Sequence, residues 1–225
     1  MNKISLPEPG ASAEVLLAGP AGRIETLLAA PRERAQPAGC AIVCHPHPLY
    51  GGAMSNKVAY TLAASALKAG LYALRFNFRG VGRSEGAHDH GRGEAEDVLL
   101  LVQRMRELLP QARLVLAGFS FGAFVSLSAA ARARPDLLIS VAPPFGKYLG
   151  DAPPPARADC PWLVLHSRDD DVVAYEETAA VLEKYAPPPQ LVTVDGAGHF
   201  FNGRLALIGD SVVPFIRQHW PAFQS

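Results

Sequence analysis

The amino-acid sequence predicts an α/β fold with a mostly parallel central sheet, an antiparallel N-terminal hairpin and helices on both faces. Two strand-like segments near the N-terminus flank a Gly/Pro turn, which is typical of a hairpin. From residue 41 onwards, short apolar runs alternate with segments of helical periodicity, as in a parallel sheet with crossover helices. The proline-rich stretches are too short to be linkers, so we predict one domain spanning residues 1–225.

The elements follow from apolar spacing and from the turn residues between them. The hairpin is predicted from residues 13–18 and 23–29, which enclose the turn at 19–22. Further strands are predicted at residues 41–45, 72–78, 114–117, 137–141, 162–166 and 191–194. Helices are predicted at residues 55–68, 94–109, directly after Ser120, 175–185 and 203–219.

Composition excludes several classes of function. Hydrophobic residues make up 49% of the chain and charged residues 19%, the balance of a globular protein. Net charge is zero without a basic stripe, so no nucleic-acid partner is expected. The N-terminus lacks the apolar region of a signal peptide, and no apolar run reaches the roughly 18–20 residues that cross a membrane. The three cysteines cannot all pair, which favours reduced thiols and a cytoplasmic protein.

A candidate nucleophile lies in the sequence Gly-Phe-Ser-Phe-Gly at residues 118–122. This pattern follows an apolar strand and begins a helix of small residues. A sharp strand-to-helix turn forces a strained backbone on Ser120 and exposes its hydroxyl, while Gly118 and Gly122 leave room where a Cβ would strike neighbouring chain. The alternative is that Ser120 merely caps the helix.

The partners of a serine nucleophile are expected at the carboxyl ends of later strands, where ligands gather in open α/β sheets. Asp169, Asp170 and Asp171 follow the predicted strand 162–166, and His199 follows the strand 191–194. A serine needs an imidazole to take its proton, and a carboxylate to orient that imidazole. At most one of the three aspartates fills this role. The alternative for His199 is a structural histidine beside two phenylalanines.

The same chemistry needs two N–H groups to hold an oxyanion. The N–H of Phe121, just after the nucleophile, is one candidate. The second is expected in the loop after the strand 41–45, where proline lacks an N–H and leaves His45 and His47 among residues 45–48. We choose His47, because it lies one step beyond the strand end between two stiffening prolines.

Together these residues resemble the α/β-hydrolase superfamily over nearly the whole chain. Residues 118–122 resemble its nucleophile elbow, and residues 196–201 its histidine loop. Residues 166–173 resemble the family's His-Gly-x-x-Asp-x-x-Val signature, with Ser167 in place of the glycine. That register implies Asp170 as the acid, with Asp171 as the fallback. The His-Pro-His-Pro sequence at residues 45–48 resembles a small bacterial subgroup of hydrolases. Arg79 and Ser84 match a turn that is structural in the family.

The resemblance also implies how the site is covered and what it acts on. Residues 143–161 are too few for a cap domain, so we expect a lid-free site, open or covered by a short loop. Tyr50, Phe145 and Phe200 are predicted to contact substrate. The expected activity is a serine hydrolase that cleaves small acyl esters through an acyl-enzyme. Thioesters or short peptides are alternative substrates, and a non-catalytic binding scaffold is the alternative from another class.

No cofactor is predicted. Two histidine pairs, His45 with His47 and His88 with His90, could be read as metal ligands, but zinc needs three or four convergent ligands. The first pair is explained by the oxyanion loop, and the second is expected to be solvated in a Gly-rich, charged stretch. Residues 80–82 lack the third glycine of a dinucleotide fingerprint. The expected partner is a small acyl substrate, and the protein is a monomer or a dimer.

Overall fold

The computed structural model describes residues 4–34, 38–149 and 152–220. Eight strands form one sheet in the order β1-β2-β4-β3-β5-β6-β7-β8. The strands are β1 (Ser12–Gly19), β2 (Gly22–Ala29), β3 (Gly39–Cys44), β4 (Tyr72–Phe76), β5 (Arg113–Phe119), β6 (Leu137–Val141), β7 (Trp162–Ser167) and β8 (Gln190–Val194). The helices are α1 (Lys57–Lys68), α2 (Arg92–Leu108), α3 (Phe121–Ala133), α4 (Phe145–Tyr148), α5 (Tyr175–Leu182) and α6 (Ala206–Gln218), with a short 3₁₀ helix at Pro48–Tyr50.

The topology confirms the predicted fold class. Strand β1 pairs antiparallel with β2, and β2 pairs antiparallel with β4. From β4 to β8 every neighbouring pair is parallel. Strands β3, β6 and β7 are buried along their whole length, which explains why they are continuous apolar runs in the sequence.

Two apolar layers cover the two faces of the sheet. One contains the buried side chains of α2 and α3. The other contains those of α1 and α6, and it ends on the fully buried Trp220. These layers leave the carboxyl ends of the parallel strands at one edge, where the loops after β3, β5, β7 and β8 meet.

Several element boundaries differ from the prediction for local reasons. Strand β4 ends at Phe76 rather than Phe78, because the chain turns away there and the Phe78 N–H donates to the His45 ring at 2.9 Å. Helix α2 begins at Arg92, two residues before the predicted start at residue 94. The Glu94 carboxylate accepts the N–H of Gly91, the residue that precedes the helix, and so stabilises this earlier start. Helix α6 begins at Ala206 rather than residue 203. The short α4 is absent from the prediction.

The cysteines are unpaired and the helices are short or polar. Cys40, Cys44 and Cys160 are free and buried, as predicted. Within the described ranges, no helix combines the length and apolar character needed to cross a membrane.

Candidate active site

Ser120 occupies a sharp turn between β5 and α3. Its backbone has φ 53° and ψ −122°, a strained conformation that L-residues rarely adopt. Its N–H donates to the Val141 carbonyl oxygen at 2.8 Å, which fixes the turn to the end of β6. The side chain makes no capping hydrogen bond to α3. The strained turn predicted at Ser120 is therefore present, and the capping alternative is not supported.

Gly118 and Gly122 allow this turn to pack directly on the neighbouring backbone. A Cβ at Gly118 would collide with the Gly122 carbonyl, and a Cβ at Gly122 would collide with the carbonyls of Cys44 and His45. The two glycines therefore bring the serine turn into contact with the end of β3, where the predicted oxyanion loop begins.

His199 links Ser120 to Asp170. Its Nε2 lies 3.1 Å from Ser120 Oγ, and its Nδ1 lies 2.8 Å from Asp170 Oδ2. An ionised carboxylate only accepts hydrogen bonds, so Nδ1 carries the proton of the neutral ring and Nε2 is free to accept the serine proton. His199 is thus within hydrogen-bond reach of both Ser120 and Asp170. The alternative of a non-catalytic scaffold predicts that these three side chains are out of contact, which differs from the arrangement observed.

The Asp170 carboxylate is held in its charged form. Burial alone raises its pKa, but hydrogen bonds from His166, His199 and the Val173 N–H outweigh burial, and the pKa lies below its ordinary value. Oδ1 accepts the N–H groups of Val172 and Val173 at 2.9 and 2.7 Å. Asp170 is therefore a permanent anion beside His199 at neutral pH.

His166 is a residue whose contact with this group was not anticipated. Its Nε2 lies 3.2 Å from Asp170 Oδ2 and 3.0 Å from the Val173 carbonyl oxygen. Both neighbours are acceptors, so Nε2 carries a proton and His166 is a second imidazole donor to the same carboxylate. The signal was available in the sequence, since His166 begins the signature in which Asp170 was identified.

The other two aspartates lie elsewhere. Asp169 accepts the Gly196 N–H at 2.8 Å and the Ser167 hydroxyl at 2.6 Å, so it ties the loop after β7 to the loop that carries His199. The hydrogen bond from Ser167 lowers the pKa of Asp169. Asp171 is exposed. The geometry thus favours Asp170 over the fallback Asp171.

The loop after β3 carries His47, whose N–H is the predicted second oxyanion donor. His45 is fixed at its start, with Nδ1 2.7 Å from the Pro46 carbonyl oxygen and Nε2 accepting from Phe78. Burial lowers the pKa of His45 to about 4, so this ring is neutral. Within the part of the chain that the structure describes, the N–H groups of His47 and Phe121 have no protein acceptor. Both remain available to an oxyanion.

A cavity of about 510 Å³ opens onto Ser120 and His199. Tyr50 and Phe200, two of the residues predicted to contact substrate, line it and are 87% and 48% exposed. The prediction for Phe145 is corrected, because its side chain is fully buried in the core and is absent from the cavity wall. Its neighbours Lys147 and Tyr148 on α4 line the cavity instead.

The expectation that His88 is solvated is wrong. Only 6% of its side chain is exposed, and its Nδ1 lies 2.9 Å from a carboxylate oxygen of the buried Glu94. Its ring packs against His47 and Phe121, with centroids 4.8 and 5.3 Å apart. Among the described residues, no group of three or more His, Cys, Asp or Glu side chains is arranged to hold a metal ion.

Arg79 and Ser84 make contacts typical of a structural turn. The Arg79 guanidinium donates twice to Asp97 on α2, at 2.8 Å each. The Ser84 hydroxyl donates to the Asn77 carbonyl oxygen at 2.7 Å and accepts the Glu25 N–H at 2.9 Å. These bonds join the turn after β4 to α2 and to β2.

Comparison with known proteins places the fold in a family. Residues 44–143 match the model of the α/β hydrolase fold. RP471, an uncharacterized protein of Rickettsia prowazekii, is 33% identical over 200 residues, which cover 84% of this chain and 82% of the relative. XC6422 from Xanthomonas campestris, an α/β serine hydrolase without a lid, is 38% identical with a TM-score of 0.88, over 98% of this chain and 99% of that chain. This chain belongs to the α/β-hydrolase family.

A second solved structure supports the same assignment for this α/β hydrolase. An α/β serine hydrolase homologue from Coxiella burnetii is 37% identical with a TM-score of 0.87, over 94% of this chain and 100% of that chain. The predicted lid-free architecture agrees with the segment between β6 and β7, whose described residues form only the one-turn α4. The predicted family is therefore confirmed, and the chain is a hydrolase.

Proposed function

We propose that this α/β hydrolase cleaves small acyl esters with Ser120 as nucleophile, His199 as general base and Asp170 as the acid that orients His199. The observation that carries the proposal is the unbroken line of contacts at 3.1 Å from Ser120 to His199 and 2.8 Å from His199 to Asp170. The side chains of all three residues are largely removed from water, and hydrogen bonds are stronger there than at an exposed surface.

In the first half of the reaction, Ser120 Oγ forms a bond to the ester carbonyl carbon while its proton passes to His199 Nε2. The imidazolium is stabilised by the Asp170 carboxylate, and the oxyanion accepts hydrogen bonds from the N–H groups of Phe121 and His47. When the tetrahedral intermediate collapses, the bond to the leaving alkoxide breaks, and the alkoxide takes the proton from Nε2. An acyl-serine ester remains.

In the second half, water attacks the acyl-serine carbonyl while His199 Nε2 takes one of its protons. The collapse of this intermediate returns that proton to Ser120 Oγ and releases the carboxylic acid. No redox change occurs, and the enzyme is restored to its starting protonation state. The partly exposed cavity of about 510 Å³ supports a small substrate that enters without movement of a lid domain.

A fluorophosphonate probe and a chromogenic ester test the proposal together. The probe should label Ser120, and Ser120→Ala should lose both labelling and hydrolysis of p-nitrophenyl acetate. Ser128→Ala is the matched control, because Ser128 lies on α3, directly after the Ser120 turn, and its hydroxyl donates to the Phe124 carbonyl oxygen rather than to His199. Absence of labelling in folded protein, or esterase activity retained by Ser120→Ala, contradicts the proposal. Acyl-CoA and aminoacyl-nitroanilide substrates then separate thioesterase and peptidase activity from esterase activity.

A further inference from the structure

The cavity that holds Ser120 is positively charged on one wall. Among the described residues that line this cavity, Lys147 is the only Lys, Arg, Asp or Glu. A smaller cavity of about 290 Å³ shares Gly51, Asn56 and Phe200 with the first and is lined by Lys57. No Asp or Glu is among the described residues that line either cavity. Of the residues that the structure describes, those lining the two cavities thus offer a substrate lysine cations and no carboxylate.

The backbone that carries Lys147 is firmly held. Its N–H donates to the Pro144 carbonyl oxygen at 3.2 Å. The next residue, Tyr148, stacks on Phe124 with ring centroids 5.0 Å apart, and Phe145 anchors α4 in the core. The lysine side chain itself is exposed at the cavity wall. The Lys147 ammonium is thus an exposed cation carried by an anchored helix.

None of the ion pairs among the described residues includes Lys147. The Glu177 carboxylate lies beside the neighbouring Gly146, and it too is absent from those ion pairs. Lys147 also acts on the cavity wall. The pKa of His47 is lowered first by burial and then by His88, His90 and Lys147, against the opposite effect of the Glu94 carboxylate.

We propose that the cavity selects esters that carry a carboxylate, which Lys147 binds while the aromatic walls at Tyr50 and Tyr148 cover the carbon skeleton. The inference rests on the proposed function, since it names the substrate class of the same site. The bound carboxylate takes no part in bond making. It places the ester carbonyl near Ser120 through a charge-assisted hydrogen bond from the ammonium.

Two matched pairs of esters test this selection. In the first pair the charge lies on the acyl side: mono-p-nitrophenyl succinate against p-nitrophenyl butyrate. In the second it lies on the alcohol side: 4-acetoxybenzoate against its methyl ester. The measured quantity is the ratio of kcat/KM for the anionic ester to that for its neutral partner. The variants are Lys147→Gln, Lys147→Glu and Lys147→Arg, with Lys184→Gln as a matched control, because Lys184 is exposed but lines neither cavity.

Lys147→Gln should lower the ratio by about three- to fivefold in at least one pair, the range that an exposed ion pair supports. Lys147→Glu should lower it further, by about tenfold or more, because the new carboxylate repels the substrate. Lys147→Arg and Lys184→Gln should leave it within about twofold of wild type. Raising the ionic strength should lower the wild-type ratio and leave that of Lys147→Gln unchanged.

The outcomes separate this inference from the proposed function. In the first outcome, neutral esters are hydrolysed, but the kcat/KM ratios of wild type and Lys147→Gln are the same in both pairs. This result overturns the inference and leaves the proposed function standing. An equal fall in Lys184→Gln overturns it too, because the effect is then one of general surface charge. Circular dichroism and Ser120 labelling show whether each variant is folded. If a variant is not folded, the wild-type protein still tests the inference, because a kcat/KM ratio that does not change with salt overturns it. If no ester is hydrolysed and Ser120 is not labelled, the proposed function fails and the inference with it.

Discussion

Replacing Asp170 with asparagine should reverse the tautomer of His199. Two backbone N–H groups, of Val172 and Val173, donate to Asp170 Oδ1, so the carbonyl oxygen of an asparagine must occupy that place. Its NH₂ group then replaces Oδ2 and faces His199 Nδ1. An NH₂ group only donates, so Nδ1 becomes the acceptor and the ring proton moves to Nε2, opposite Ser120. In that form His199 cannot take the serine proton.

The expected loss is about a thousand- to ten-thousand-fold in kcat, as for a triad whose histidine carries its proton on the wrong nitrogen. This corresponds to roughly 4–5.5 kcal/mol of transition-state stabilisation. The two backbone N–H donors and the 2.8 Å contact with His199 fix the orientation of the asparagine amide, and therefore the sign of the effect. KM should change little, because Asp170 is buried and is absent from the cavity wall.

The assay is steady-state hydrolysis of p-nitrophenyl acetate over a range of pH. Asp171→Asn is the matched control, since it removes the same charge from an exposed neighbour, and it should keep kcat within about twofold. Thermal unfolding shows whether each variant is folded. A folded Asp170→Asn protein with kcat within tenfold of wild type would refute the reasoning, and so would an equal loss in Asp171→Asn.

Three further outcomes follow from the same geometry. His166→Phe keeps a ring but removes one donor to Asp170, so kcat should fall about tenfold with an unchanged KM, and an unaltered kcat contradicts this role. The folded-state pKa of Asp170 lies below its unfolded value, so its contribution to stability is present above about pH 4 and is lost as the pH falls towards the folded pKa. Urea unfolding should therefore show a wild-type advantage over Asp170→Asn that shrinks below about pH 4, and an advantage independent of pH argues against it. Phe145→Ala should cost about 3–5 kcal/mol of unfolding free energy, whereas Phe200→Ala should raise KM with little loss of stability, and the reverse pattern would contradict the placement of the two rings.

The sheet was predictable because its strands are marked by local signals. Buried parallel strands such as β6 and β7 are continuous apolar runs, and the β1–β2 hairpin is marked by Gly19 and Gly22 around its turn. The boundaries were less predictable, because they depend on contacts from distant residues. The end of β4, for example, is set by the bond between Phe78 and the ring of His45, 33 residues earlier.

The local geometry at a candidate site residue could be predicted from the sequence where a single loop determines it. Ser120 lies in its strained turn because the two flanking glycines permit it, and both facts are readable at residues 118–122. His88 was misjudged because its burial comes from Glu94 on the following helix and from His47 on another loop. Phe145 was misjudged because α4 is a single turn, too short for periodicity to show which side chains face inward.

The glycine contacts at the serine turn separate two properties of this enzyme. Gly122 lies against the carbonyls of Cys44 and His45, so any larger residue there displaces both the Ser120 turn and the loop after β3. Tyr50 and Phe200, by contrast, are exposed side chains at the cavity wall. Directed evolution towards new acyl groups should therefore change Tyr50 and Phe200 and leave residues 118–122 unchanged. Reactivity depends on tightly packed backbone, whereas selectivity depends on side chains that can be replaced.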